Sequence, residues 1–213
     1  KHESENPGAS NDLTTFDTFD RYVFSINFPD QLPLDYSDNQ VQYLPHVTWS
    51  TYRNWSNLGS HLRKTFERSM RLSDALKDSV KEITEESFSV NQTAKKISSF
   101  VERHISHVNY PNHFWIEEPR YASRTFETAY GHSLDRSVLA AALFEEAGFM
   151  IFPIMRGLGC HDINEGVPAL DKMTDIGVWI SSADEVEAYF DPASCRLSNG
   201  LSPIFGKTVW IPG

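Results

Sequence analysis

A hydroxyl or thiol attacks a carbonyl only when a neighbouring base takes its proton, so the chemistry of this chain turns on which nucleophiles stand beside a histidine or a carboxylate. Two segments raise the question. In Gly131-His132-Ser133-Leu134-Asp135 a serine heads an alanine-rich apolar run, and in Gly159-Cys160-His161-Asp162 a thiol, an imidazole and a carboxylate stand in a row. Adjacency counts against the second, because neighbours in sequence do not face each other as a thiol–imidazole couple must. Cys160, His161 and Asp162 also fit one metal badly, with no fourth ligand at ordinary spacing. By the same divergence His132 reads as a polar or packing residue at a helix start. Asp191, just before Pro192, reads as a strand-end carboxylate that caps local backbone groups. There is no phosphate loop, dinucleotide fingerprint, zincin helix or Gly-x-Ser-x-Gly elbow, and no cofactor or metal is expected.

These residues must be positioned by a domain that 213 residues can build: one core, or one core with a short appendage. With 40% hydrophobic and 23% charged residues the chain is neither a disordered polyampholyte nor a low-complexity polymer. A formal net charge of -10 repels a phosphate backbone, which excludes nucleic acid as an expected partner. No apolar run approaches the roughly 20 residues that cross a bilayer. Two cysteines, Cys160 and Cys195, allow one bridge and no disulfide scaffold. The start at Lys1 is what an excised or processed part of a longer chain would show.

The spacing predicts helices early and strands late. Residues 1–15 read as a loose polar tail, and Tyr22–Phe28 as a half-buried strand followed by turn-rich sequence to Pro45. Apolar residues at three- and four-residue intervals predict helices over 55–70, 74–85 and 91–107, the first capped by Asn54 or Ser56 and the second by Ser73. Residues 109–124, with Tyr110-Pro111, Phe114-Trp115 and Pro119-Arg120-Tyr121, read as a packed aromatic loop. The strongest helix is expected over 135–147, buried at the centre and closed by Gly148. Strands are expected over 149–155, 177–181, 187–190 and 208–211. This segregation predicts an α+β fold in which helices pack on a late antiparallel sheet.

The layout from Trp49 to Ser194 resembles the bacterial transglutaminase-like superfamily, whose papain-type core sets a nucleophile at the head of a buried helix and takes a histidine and an aspartate from successive strands. The nucleophile segment of that family, Gly-Asp-Cys-x-Asp before a small-residue helix ending in Ala-Gly, is similar to Gly131 through Gly148, with Ser133 in the cysteine's place. Its Tyr-x-Asp-Pro-Thr signature is similar to Tyr189-Phe190-Asp191-Pro192-Ala193, which assigns Asp191 to the third member. Between them, Asp175-Ile176-Gly177-Val178-Trp179-Ile180 puts Gly177 where the histidine belongs. The resemblance thus implies a transglutaminase-like domain over 49–213 with a degenerate triad at Ser133, Gly177 and Asp191. It makes 1–48 the remnant of a preceding β-sandwich domain, and it implies an extracytoplasmic setting with flanking domains in a longer chain.

Swapping in the weaker nucleophile while losing the base is a double defect. The leading expectation is therefore a cleft lined by Trp115, Tyr121, His132, Ser133 and Trp179 that binds a peptide, glycan or partner protein without cutting it. The alternative is an active hydrolase, protease or acyl transferase that uses Ser133 or Cys160 with a base brought by another loop; a third possibility is a purely architectural spacer. The environment of Ser133 separates them: a histidine nitrogen within about 3.2 Å of its hydroxyl favours the enzyme.

Overall fold

A computed structural model describes residues 2–4, 9–15, 20–26, 47–109, 118–157, 168, 173–183, 186–199 and 208–210. The chain runs β1 (His2–Ser4), β2 (Ala9–Thr15), β3 (Asp20–Ile26), β4 (Val47–Trp49), α1 (Trp55–Ser69), α2 (Asp74–Glu85), α3 (Val90–His104), β5 (Ser106–His107), α4 (Ala122–Thr128), β6 (Tyr130–Gly131) and α5 (Ser133–Glu146). It continues with β7 (Met150–Gly157), β8 (Met173–Ser181), β9 (Glu187–Asp191), β10 (Arg196–Asn199) and β11 (Thr208–Trp210). Helices come early and the main sheet late. That sheet has the order β10-β9-β8-β7-β11 with every neighbouring pair antiparallel.

Helix α5 is the axis of the fold. Its residues from Ser133 to Phe144 are all buried, and it packs against α2, α3 and α4 and against β7 and β8. From Val138 to Phe144 the helix is apolar on every side and has no solvent face to present, and the run Ala140-Ala141-Ala142 lets its neighbours approach closely. Gly148, at φ +90, takes the left-handed conformation that ends the helix at little steric cost. On the sheet, Val178, Ile180, Ala188 and Phe190 join the helical core, while the opposite face holds a smaller cluster of Ile154 and Tyr189 with Trp179 against it. Pro153 lies in β7 beyond the Met155–Gly157 stretch that β11 pairs among the described residues.

The structure differs from the sequence expectations at several elements. Helix α3 stops at His104 instead of reaching His107: Ile105 leaves the helix at φ -120, ψ 109, and Ser106 and Val108 donate backbone bonds to Ala129 and Gly131 carbonyls at 2.9 and 3.0 Å. The aromatic segment gives way to α4, and β10 follows β9 although Arg196-Leu197-Ser198-Asn199 has one apolar residue to mark it. Residues 2–4 and 9–15 are not a loose tail, since β1 pairs with β4 and β2 with β3 in register His2↔Trp49 and Ala9↔Ile26. Strand β3 begins at Asp20, two residues before the expected Tyr22, and the expected end at Phe28 lies outside the described residues.

Candidate functional site

The site is built where α5 begins. His132 is its N-cap, with Nδ1 accepting from the Leu134 amide at 3.4 Å while the Asp135 carboxylate accepts from the His132 amide at 3.3 Å. Helix α5 consequently starts two residues before the expected Asp135, and Ser133 occupies its first helical position. The positive end of the helix dipole lies at that hydroxyl, where negative charge on a bound carbonyl would develop.

Asp135 fixes the approach to this corner. It accepts from the Arg120 amide and from Arg120 Nε, each at 3.0 Å, and Arg120 goes on to donate to Thr128 Oγ1 at 3.1 Å and to stack over the Tyr130 ring at 4.7 Å. One guanidinium thereby binds α4, β6 and α5 together. Asp135→Asn is expected to cost about 2 kcal/mol in urea unfolding, because charge-assisted bonds to a largely buried acceptor are worth roughly 1.5–3 kcal/mol each before compensation.

His107, which sequence reading placed inside a helix, stands in β5 beside this corner. Strand β5 pairs parallel with β6, His107 opposite Gly131, and so lies next to the segment that enters α5. His107 Nε2 is 3.1 Å from Ser133 Oγ, across 26 residues of sequence. No imidazole comes from position 177, where the resemblance puts Gly177; the one beside Ser133 comes from the strand after α3. With its ring proton on Nδ1, His107 accepts the Ser133 hydroxyl proton at Nε2. Partial desolvation of the otherwise exposed ring pushes the His107 pKa below its ordinary 6.5, and Arg136 pushes it further down while Asp191 pulls it up. Both desolvation and Arg136 thus favour the neutral ring, which accepts at Nε2 when its proton sits on Nδ1.

The other two positions of the inferred triad do different work. Asp191 gives both carboxylate oxygens to its own turn, accepting from the Ala193 amide at 3.1 Å and from Ser194 Oγ at 2.7 Å, and it reaches His107 only through its charge. At Gly177 a Cβ would run into the ring and hydroxyl of Tyr189, which is fully buried on the neighbouring strand. The space a histidine side chain would need at 177 is filled by Tyr189.

Of the expected lining residues, Tyr121 is half-exposed and precedes α4, and Trp179 packs on Ile154 and Tyr189. Trp115, Cys160, His161 and Asp162 lie outside the described residues. Cys195 is a free, buried thiol whose pKa burial pushes up to about 11, so it is no ready nucleophile. A cleft of about 630 Å³ between the start of α3 and the β8–β9 turn, lined by Asn91, Lys95, Ser182 and Glu187 among others, shares no residue with the Ser133 corner. Among the described residues no cluster of three or more metal-ligating side chains forms, and no helix is long and apolar enough to cross a membrane.

No protein-family model matches the sequence, and no curated protein matches it at a significant level. Among solved structures, the chain is similar to a "putative protease" from Parabacteroides distasonis, with a TM-score of 0.76 and 17% identity over 99% of this chain. The chain spans 40% of the length of that protein. A "putative cysteine protease" from Cytophaga hutchinsonii superposes with a TM-score of 0.34 and 6% identity, over 98% of this chain and 75% of that one, too loosely to carry an argument. At 17% identity the first likeness bears on the fold alone: the chain shares the fold of that protein, in keeping with the mixed helix-and-sheet fold expected from the sequence.

Proposed function

We propose that this domain is a slow, serine-dependent acyl hydrolase acting on an amide or ester bond, and the observation that carries the reading is the 3.1 Å contact between Ser133 Oγ and His107 Nε2. Ser133 Oγ attacks the carbonyl carbon and its proton passes to His107 Nε2. On collapse the bond to the leaving group breaks, and His107 returns the proton to the departing nitrogen or oxygen. Water then attacks the acyl-serine ester with His107 again taking a proton; the bond between the acyl carbon and Ser133 Oγ breaks, the acid leaves, and His107 returns the proton to Oγ, restoring both side chains. No carboxylate hydrogen-bonds the second imidazole nitrogen among the described residues, and removing that group from serine proteases costs on the order of 10⁴ in rate, so turnover is slow.

Ser133 is only 7% exposed while His107 is exposed, so substrate approaches from the β5 side. The net charge of -10 favours a neutral or cationic substrate, and the protease name of the similar structure, which spans the whole of this fold, supports a peptide. The resemblance supports an extracytoplasmic setting within a longer protein.

The test is hydrolysis of p-nitrophenyl esters and short peptide esters by the purified domain across pH. We expect Ser133-dependent turnover that is flat near neutrality and falls on the acid side with a midpoint below 6.5, since protonation removes the acceptor and the His107 pKa lies under that value. Turnover equal to that of Ser133→Ala, with retained peptide binding by calorimetry, would instead favour a cleft that binds without cutting. That second reading draws on the filled space at Gly177 and on the commitment of Asp191 to its own turn.

A further inference from the structure

Arg136 lies one turn into α5 from Ser133, is 3% exposed, and forms no ion pair with a carboxylate among the described residues. Its Nη1 donates to the Ala193 carbonyl at 3.0 Å and its Nη2 to Cys195 Sγ at 2.6 Å, while Nε has no hydrogen-bond partner. Both acceptors belong to the turn that follows Asp191 and joins β9 to β10. A guanidinium so buried, paid with one carbonyl and one thiol, is a poor stabilising device, because desolvating a cation costs several kcal/mol and neutral acceptors return little of it. Ser98 secures the same turn independently, donating to the Cys195 carbonyl at 2.6 Å, so the turn does not need a charged strut merely to stay in place. What the charge adds is a fixed cation beside the candidate pair, on the same helix as Ser133 and bridged to the turn of Asp191.

We infer that Arg136 is a positioning residue of the Ser133 site: it ties the head of α5 to the Asp191 turn and sets an Arg136 cation and an Asp191 anion at fixed places around His107. The inference rests on the proposed Ser133–His107 reaction for its purpose, but not for its measurement. The charged and titratable groups that act on or face His107 are Arg136 and His132 from the α5 end, the latter with ring centroids 6.0 Å away, and Asp191 from β9. The cation disfavours and the anion favours the imidazolium, so the two groups bias the proton on His107 in opposite directions.

The experiment is NMR titration of the His107 ring in the intact domain, alongside the pH dependence of turnover. Arg136→Met is expected to move the His107 midpoint up, Asp191→Asn to move it down, and Arg136→Lys, which keeps the charge but cannot bridge both acceptors, to leave the midpoint in place while lowering turnover. If Arg136→Met does not fold, Arg136→Gln and Asp191→Asn carry the same test. A His107 midpoint that moves in neither neutralising variant overturns the inference, even where Ser133-dependent turnover persists. Midpoints that move as expected without turnover in any variant would sink the hydrolase reading and leave the placement of the two charges standing.

Discussion

His107→Ala is expected to reduce Ser133-dependent ester hydrolysis by about 10²–10⁴-fold, the range for losing a positioned general base. Ser133→Ala is expected to fall to the same floor. Because one residue gives the proton that the other takes, the two losses should not add: the double variant should be no slower than either single one. This non-additivity separates a working pair from two residues that each help to hold substrate, whose effects would multiply. His107→Gln is the sharper variant, since it keeps a hydrogen-bonding side chain at β5 and removes only the base; it should be as slow as His107→Ala. Fold integrity is checked by urea unfolding, where both should lie near wild type, because His107 is exposed and makes one side-chain hydrogen bond among the described residues.

Gly177→Ala is expected to cost about 3 kcal/mol, at the upper end of overpacking penalties, because the obstacle is the ring of Tyr189 on the adjacent strand and not the end of a flexible side chain. Tyr189 is 0% exposed and packed with Ile154 and Trp179, so its ring has little room to retreat. Tyr189→Phe should not relieve the penalty, since the ring carbon that bears the hydroxyl and its neighbour also stand in the way. Tyr189→Ala should relieve it, leaving the double variant more stable than the sum of the two single losses by at least roughly 1 kcal/mol in a double-mutant cycle. Gly177→His, which restores the residue that the resemblance expects, is then predicted to destabilise the domain without speeding turnover.

The helices were legible where periodicity and caps agree. Asn54 accepts from the Asn57 amide at 2.8 Å at the start of α1, and Gly148 closes α5. The central burial of α5 followed from the unbroken apolar run Val138 to Phe144. Elements held by pairing were harder to see: β2 is the polar Ala-Ser-Asn-Asp-Leu-Thr-Thr, and β10 has Leu197 as its lone apolar residue, so tertiary ladders and not propensity decide them. In the site, Ser133 was legible because a helix start and a nucleophile share a short segment. His107 was not, since its contact spans 26 residues and the apolar face of α3 continues smoothly through His104 and Ile105. The available signal was the alternation Ile105-Ser106-His107-Val108, a period of two that begins where the helical period fails.

The most direct test is whether Ser133 is an activated nucleophile. Fluorophosphonate labelling followed by peptide mass spectrometry should place a single adduct on Ser133 in the native domain, lose it after denaturation, and slow it by at least about 10²-fold in His107→Ala. No adduct on Ser133, or one that forms as fast without His107, would contradict the claim that these two side chains act together.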